Sequence, residues 1–202
     1  KGNVGDAVDK PENPVKKGYT FKGWSANHDV FPNENVTVEA VWQVNRYNLV
    51  YIFNNGSGNT TEPHDYGSTI VPIENPTKLG YDFDGWKPAL PETMPDENVT
   101  VTAQWKIHTH DVVFDAAGGK INGEGTFTKQ YDFGANVTAP SAPVRTGYSF
   151  DGWYTAEDKK QSFPFKLDDA GVTLTAKWTI NKYTITFALG GGNIDGKTAY
   201  SI

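Results

Sequence analysis

The sequence has 202 residues, a formal net charge of -6 and no cysteine. An acidic chain without a basic run is not expected to bind nucleic acid, and no apolar stretch approaches the roughly 18 residues that a membrane-spanning helix requires. Because no signal peptide opens the sequence, we expect the chain to be part of a longer protein.

Two short patterns recur three times and define the organisation of the chain. An aromatic signature, G-Y-x-F-x-G-W, is followed each time by a closing run, V-T-[VL]-x-A-x-W. The signature occupies residues 18–24, 80–86 and 147–153, and the closing run occupies residues 36–42, 99–105 and 172–178. Successive closing tryptophans are 63 residues (42 to 105) and 73 residues (105 to 178) apart, which exceeds the roughly 20 to 50 residues of a solenoid repeat. We therefore predict a tandem array of small, separate domains.

Residues 1–42 form an incomplete first repeat, in which a strand is expected around Val4 to Val8. Residues 43–105 form a complete repeat that opens with a β-branched and aromatic run from Tyr47 to Phe53. The Asn55-Gly56 pair after this run indicates a hairpin turn.

Residues 106–178 form a second complete repeat with longer loops, opening with a strand from His110 to Phe114. Residues 155–161 are compatible with a turn or two of helix capped by Thr155. We expect mainly β structure with little helix. Residues 179–202 supply the opening strand, from Tyr183, and the turn of a fourth repeat.

The closing runs alternate apolar and polar residues, which places Val38, Ala40 and Trp42 of the first repeat on one buried face. The glycine before each signature tryptophan predicts a β-bulge or a close backbone approach. We expect the aromatic residues of both patterns to be the structural core of the repeats. They are Tyr19, Phe21, Trp24, Trp42, Tyr81, Phe83, Trp86, Trp105, Tyr148, Phe150, Trp153 and Trp178.

The tryptophans have a second interpretation, as an exposed platform that stacks on sugars. A core requires the same residues at the same place in every copy, whereas a binding platform need not recur. We therefore favour the core interpretation. Binding of a glycan or a host protein through exposed aromatic residues remains the alternative function.

Four residues join each closing tryptophan to the next repeat, and none of these joints is a Gly/Ser tether. Val44, Ile107 and Ile180, two positions after the tryptophans, are expected to continue the inward face of the closing strand. We expect the repeats to follow one another closely in an elongated array.

The signature and the closing run together resemble the Listeria-Bacteroides repeat, the B-repeat of internalin B and related bacterial surface proteins. This resemblance covers nearly the whole chain. It implies a β-grasp-like module in an extracellular protein of the bacterial surface or cell wall, with a role as a stalk, spacer or adhesion element. It brings no catalytic residue.

Other candidate sites are weak. His108 and His110 would share a face in an extended chain, but two histidines are too few for a metal site, so a surface pair is expected. Asp96-Glu97 and Asp168-Asp169 lack the spacing of a calcium loop and are expected in solvated turns. We predict no catalytic residue, no cofactor and no metal.

The partners expected from these observations are a host-surface protein or a glycan. Residues 183–202 correspond to residues 47–66, the part that a complete repeat carries and the first repeat lacks. A strand exchange between the chain ends of neighbouring molecules is therefore a further hypothesis, and chain ends that fray at an arbitrary boundary without pairing are the alternative.

Overall fold

The computed structural model describes residues 1–197 and 199–201. Within these residues the chain forms β-strands and no helix, so the expectation of a mainly β fold with little helix is confirmed. Accordingly, the described residues contain no helix long and apolar enough to cross a membrane. The strands are β1 (Tyr19–Trp24), β2 (Ala40–Val44), β3 (Arg46–Ile52), β4 (Thr60–Asp65), β5 (Tyr81–Lys87), β6 (Val99–Ile107), β7 (Thr109–Asp115), β8 (Thr126–Asp132), β9 (Asn136–Val137), β10 (Tyr148–Tyr154), β11 (Phe165–Lys166), β12 (Val172–Ile180), β13 (Thr186–Ala188) and β14 (Ala199–Ser201).

The chain divides into two compact units, Lys1–Lys106 and Ile107–Ile202. The first two predicted repeats fall in the first unit, and the other two fall in the second.

The second repeat is built on a four-stranded sheet with the order β4-β3-β6-β5. Its opening strand β3 and closing strand β6 are parallel and central, with Leu49 opposite Val99, and β4 pairs antiparallel with β3. The alternating pattern of β3 directs Leu49 and Tyr51 into the core, where both are fully buried. Ile70, Met94 and Val101 complete this buried cluster.

The third repeat has the same arrangement, with the order β10-β12-β7-β8. Here β7 and β12 form the parallel central pair, with Val112 opposite Val172. This shared strand order is compatible with the expected β-grasp-like module, although an extended segment connects the two halves of the sheet where that fold carries a helix. The core of the sheet contains Val112, Phe114, Ala116, Ile121, Val137, Trp153, Leu167, Leu174 and Ala176.

The glycine of the aromatic signature lies at a β-bulge, as predicted. Phe21 pairs with Trp42, but the next paired residue is Gly23, opposite Val41, so one extra residue is accommodated. Gly23 has a φ of 129°, which a side chain would disfavour. The same register shift occurs in β10, between Phe150 and Gly152. The bulge turns the phenylalanine and tryptophan of the signature to the same side of the strand.

One expected strand and one helical turn that the sequence allowed do not form. Val4–Val8 is not a strand: Ala7 makes a single bridge with Val30, because Gly5, with a φ of 88°, turns the chain just before it. Residues 155–161 form a hairpin loop instead of a helical turn, since Tyr154 bridges Lys160 and Asp158 adopts a φ of 63°, which is outside the helical region.

The opening strand of the fourth repeat begins later than expected. The opening strand predicted from Tyr183 starts at Thr186, where β13 pairs antiparallel with β14. Ile180 is 61% exposed, so its assignment to an inward face is wrong, whereas Val44 and Ile107 are half-buried as expected. Thr198 and Ile202 of the predicted fourth repeat lie outside the described residues.

Within the first unit, the joint between the first and second repeats is closely packed. The amide of Asn45 donates to the carbonyl of Gly18 (2.9 Å), and the amide of Tyr66 donates to the carbonyl of Asn45 (2.8 Å). The rings of Tyr19 and Tyr66 meet edge to face, with centroids 6.0 Å apart, and Lys17 forms an ion pair with Asp96 at 3.2 Å.

Candidate functional site

Each aromatic signature and its closing run build one aromatic cluster, in which a phenylalanine lies between two indoles. The registers that pair Phe21 with Trp42 and Phe150 with Trp178 bring the two patterns together. In every cluster the phenylalanine meets both tryptophans edge to face. The centroid distances are 5.4 and 5.6 Å from Phe21 to Trp24 and Trp42, 5.2 and 5.8 Å from Phe83 to Trp86 and Trp105, and 5.3 and 5.6 Å from Phe150 to Trp153 and Trp178.

None of the twelve aromatic residues predicted as core is fully exposed. Trp153 is buried, and the other eleven are half-buried. A cation covers the ring of each signature tyrosine, which removes that ring face from the open surface. Lys16 lies 4.0 Å above Tyr19, Lys78 lies 4.3 Å above Tyr81, and Arg145 lies 3.9 Å above Tyr148.

In the complete repeats, the indole N–H of the closing tryptophan donates a hydrogen bond within its own repeat. The indole Nε1 of Trp105 donates to the carbonyl of Phe53 (2.8 Å), and that of Trp178 donates to the carbonyl of Ala116 (2.9 Å). Gly119 lies against the Trp178 ring so closely that a Cβ would be 2.4 Å from Cζ2. These two indoles therefore anchor the end of the opening strand.

One cleft in the third repeat retains polar groups beside aromatic ones. It has a volume of about 490 Å³, and Lys120, Arg145, Tyr148 and Trp178 contribute to its lining. The Arg145 guanidinium donates to the carbonyl of Ala117 (3.2 Å) and so is held in place. A fixed guanidinium and an exposed lysine beside a half-buried indole are the kind of surface to which a polar ligand binds.

A second group of polar side chains, the His-Asp cluster, consists of His108, His110 and Asp169. His108 directly precedes β7, His110 lies on β7, and Asp169 lies in the loop before β12. Oδ1 of Asp169 is 2.6 Å from Nδ1 of His108 and 2.9 Å from Nε2 of His110. The sequence predicted a histidine pair and a separate solvated acidic turn, and it missed that the fold brings them together.

The parallel pairing of β7 with β12 explains this meeting. It places the loop before β12 beside the start of β7. Leu167, which is buried, anchors the loop through hydrogen bonds of its backbone with Gly134 (2.8 Å) and Ala135 (3.0 Å). Gly171 lies against the backbone of β7, since a Cβ there would be 3.0 Å from the carbonyl oxygen of Asp111. The position of Asp169 is therefore set by the core and by β7.

Hydrogen bonds to His110 and His108 stabilise the ionised Asp169 and lower the pKa of its carboxyl. The three side chains are 24–28% exposed, so the cluster is open to solvent on one side. All three facing nitrogen and oxygen atoms lie within 4.8 Å of one another. The cluster can hold a proton between its members or a small cation.

The sequence profile of the Listeria-Bacteroides repeat domain matches residues 2–41, 47–104 and 110–177. The chain belongs to the Listeria-Bacteroides repeat family. The resemblance noted from the two patterns is thereby confirmed. Each matched range contains one aromatic signature and its closing run up to the residue before the closing tryptophan.

Two relatives illustrate where such repeats occur. A protein of Evansella cellulosilytica, named as a Gly-rich membrane protein, is 31% identical over 212 residues, an alignment that covers 96% of this chain and 24% of that protein. Internalin H of Listeria monocytogenes is 33% identical over 118 residues, covering 52% of this chain and 20% of that protein. The chain therefore spans about a quarter or less of the length of these relatives.

Proposed function

We propose that this chain is the non-catalytic tandem-repeat region of an extracellular protein at the bacterial surface or cell wall, where it serves as a stalk or spacer or as an adhesion element. The observation that carries the proposal is that the recurring aromatic residues pack against one another inside each repeat. Three phenylalanines each pack between two tryptophans, which supports a structural role for the recurring residues.

The exposed surface supports the same proposal. The large apolar side chains that are exposed are mostly aliphatic, such as Val15, Val71 and Leu79; the exposed aromatic residues in this group are Tyr183 and Phe187 of the fourth repeat, and none of the twelve residues predicted as core is among them. Scattered apolar residues are normal on a surface.

The joint between the first and second repeats favours a stalk. Backbone hydrogen bonds, a ring contact and the Lys17–Asp96 ion pair connect these repeats. A flexible Gly/Ser linker would provide none of these contacts. A joint of this kind restricts bending, which a spacer requires.

Whole-cell adhesion tests this function and separates its two forms. The parent protein would be compared with a variant that lacks the region and with a variant that carries an unrelated rigid spacer of equal length. A stalk predicts that the deletion impairs adhesion and that the unrelated spacer restores it. Adhesion that only the native repeats restore would assign the binding to the repeats themselves. Unchanged adhesion after the deletion would contradict both forms.

The cleft beside Trp178 favours one alternative, a glycan-binding or host-protein-binding module. Arg145 and Lys120 would donate hydrogen bonds to a polar ligand there. A glycan array with the native chain and with Arg145→Ala and Lys120→Ala variants tests this alternative. Binding that both substitutions weaken would support its glycan-binding form, and the absence of binding by the native chain would exclude that form.

A further inference from the structure

We propose that His108, His110 and Asp169 form a binding site for Zn²⁺ in the third repeat. This inference is independent of the stalk function, because it concerns residues outside both repeat patterns. Two imidazole nitrogens and one carboxylate oxygen are the ligand types that zinc takes from proteins.

The positions of the three donor atoms suit a zinc ion. Oδ1 of Asp169 is 2.6 Å from Nδ1 of His108 and 2.9 Å from Nε2 of His110. Zinc bonds of 2.0–2.2 Å in a tetrahedron separate neighbouring ligand atoms by about 3.3–3.6 Å. The two N···O contacts therefore need to widen by about 1 Å or less to admit the ion. The two histidine nitrogens, which are at most 4.8 Å apart, need to reach the same separation, and both changes are within the reach of side-chain rotation.

The solvent-exposed side of the cluster provides room for the remaining coordination position. The side chains are 28%, 24% and 28% exposed for His108, His110 and Asp169 respectively. Three protein ligands and a water molecule form a complete tetrahedral zinc shell. Two protein ligands come from the start of β7 and one from the anchored loop before β12, so the site is held by structure that forms without the ion.

The other repeats provide an internal comparison. The positions of His108 and His110 are occupied by Asn45 and Tyr47 in the second repeat and by Asn181 and Tyr183 in the fourth. In both of these repeats the amide Nδ2 of the asparagine donates to the tyrosine hydroxyl, at 3.4 and 3.2 Å. The third repeat replaces both members of this pair with imidazoles.

The carboxylate of Asp169, in contrast to the two histidines, is also present in the second repeat. Counted back from the closing run, Asp96 of the second repeat corresponds to Asp169. Asp96 pairs with Lys17 of the preceding repeat at 3.2 Å, whereas the residue that corresponds to Lys17 one repeat later is the apolar Leu79. The third repeat thus keeps the carboxylate and adds two metal-binding nitrogens, and the second repeat has no lysine at the position of Lys17.

Zinc binding requires a defined change in both rings. Without metal, the ionised Asp169 can only accept hydrogen bonds, so Nδ1 of His108 and Nε2 of His110 carry the hydrogens that face it. A zinc ion bound to these nitrogens requires the hydrogen on the opposite nitrogen of each ring. The ¹⁵N shifts of the imidazoles report this exchange.

The experiment is a calorimetric titration of the whole, tag-free chain with ZnCl₂, accompanied by imidazole NMR. We expect one Zn²⁺ per chain and shifts confined to His108 and His110. The double variant His108→Asn/His110→Tyr installs the pair that the second and fourth repeats carry, and it is therefore expected to fold. It should bind at least about tenfold more weakly, since even changes outside the ligand shell typically cost 10- to 100-fold in affinity.

Two further variants complete the test. Asp169→Asn keeps the shape of the carboxylate and should also weaken binding at least about tenfold, whereas His28→Asn, in the first repeat, should leave the affinity unchanged. The proposal is overturned if the native chain shows no saturable binding below about 1 mM. It is equally overturned if either the double variant or Asp169→Asn binds as tightly as the native chain, or if His28→Asn abolishes binding.

Discussion

Gly18 lies against the ring of Tyr66 so closely that a Cβ atom on Gly18 would be 2.0 Å from Cδ1 of the tyrosine. The two residues belong to consecutive repeats, and the carbonyl of Gly18 also accepts the hydrogen bond of Asn45 at the same joint. The first glycine of the aromatic signature therefore has a role that differs from that of the tryptophans. It permits the next repeat to approach.

We expect Gly18→Ala to loosen this joint. The alanine would adopt a φ of 75°, which costs about 1–2 kcal/mol, and displacement of the Tyr66 ring adds about 1–3 kcal/mol. Hydrogen exchange of residues 43–66 in the whole chain measures the effect as faster exchange in the variant.

Gly147→Ala is the matched control. Gly147 has a φ of 81°, but a Cβ there would have no neighbour within 4 Å. The Gly147→Ala variant should therefore lose only about 1–2 kcal/mol of stability, which is the cost of the left-handed conformation. Equal losses of stability in the two variants would show that the Tyr66 contact contributes nothing to the joint.

The tandem organisation and the bulges could be predicted from the sequence because they depend on local patterns. The signature and the closing run recur in a constant order, and a glycine between two apolar residues of a strand signals the bulge at Gly23. The opening strand β3 was also evident, since β-branched and aromatic residues fill it.

The parallel pairing of opening and closing strands could not be predicted, because it joins residues about 50 positions apart, such as Leu49 and Val99, and no local pattern specifies the partner. The His-Asp cluster depends on the equivalent pairing of β7 with β12. For this reason the histidines and Asp169 were assigned to separate surface features. The helical turn with which residues 155–161 are compatible does not form for a different reason, since Asp158 adopts a left-handed conformation within the hairpin loop.

Tyr51→Phe should stabilise the second repeat. Tyr51 is fully buried, and among the described residues its hydroxyl has no hydrogen-bond partner; burial also raises the pKa of this phenol. Removing a buried, unpaired polar group recovers about 1–3 kcal/mol. The third repeat carries Phe114 at the corresponding position, where it is fully buried.

The reverse substitution, Phe114→Tyr, provides the counterpart. It introduces a hydroxyl into the core of the third repeat and should destabilise that repeat by about 1–3 kcal/mol. Hydrogen exchange of the opening strands β3 and β7 in urea measures both changes. The interpretation fails if Tyr51→Phe destabilises the second repeat.

Tyr154 and Asp151 should titrate as a pair. The Tyr154 hydroxyl donates to Oδ2 of Asp151 at 2.6 Å, and Lys160 lies 3.5 Å from Oδ1. The hydrogen bond to Asp151 raises the pKa of Tyr154 above its ordinary 10.0. The hydrogen bond from Tyr154, followed by the charge of Lys160, lowers the pKa of Asp151 below its ordinary 3.8.

The directions of the two pKa shifts define the pH range over which each residue stabilises the fold. The stabilisation from Asp151 is present above its ordinary pKa of 3.8 and is lost as the pH falls through the lowered value. The stabilisation from Tyr154 is present below 10.0 and is lost as the pH rises through the raised value. Asp151→Asn should lower the pKa of Tyr154, as followed by NMR of the tyrosine ring. Asp84→Asn is the equivalent change in the second repeat, where Lys87 occupies the position of Tyr154. This variant should leave the pKa of Tyr154 unchanged.

Phe150→Leu tests whether the aromatic cluster stabilises the repeat through its ring contacts. Phe150 lies 5.3 Å from Trp153 and 5.6 Å from Trp178, edge to face with both. Each such contact contributes about 0.5–1.5 kcal/mol beyond the area that it buries.

The Phe150→Leu variant should therefore lose about 1–3 kcal/mol from these contacts, measured by urea unfolding. Its near-UV circular dichroism should also change, because both indoles lose a neighbouring ring. Phe127→Leu is the control, since Phe127 is also half-buried but has one ring contact, with Phe114 at 6.1 Å. If the two variants lost the same stability and kept the same near-UV spectrum, the packing of Phe150 between two tryptophans would not be what stabilises this repeat.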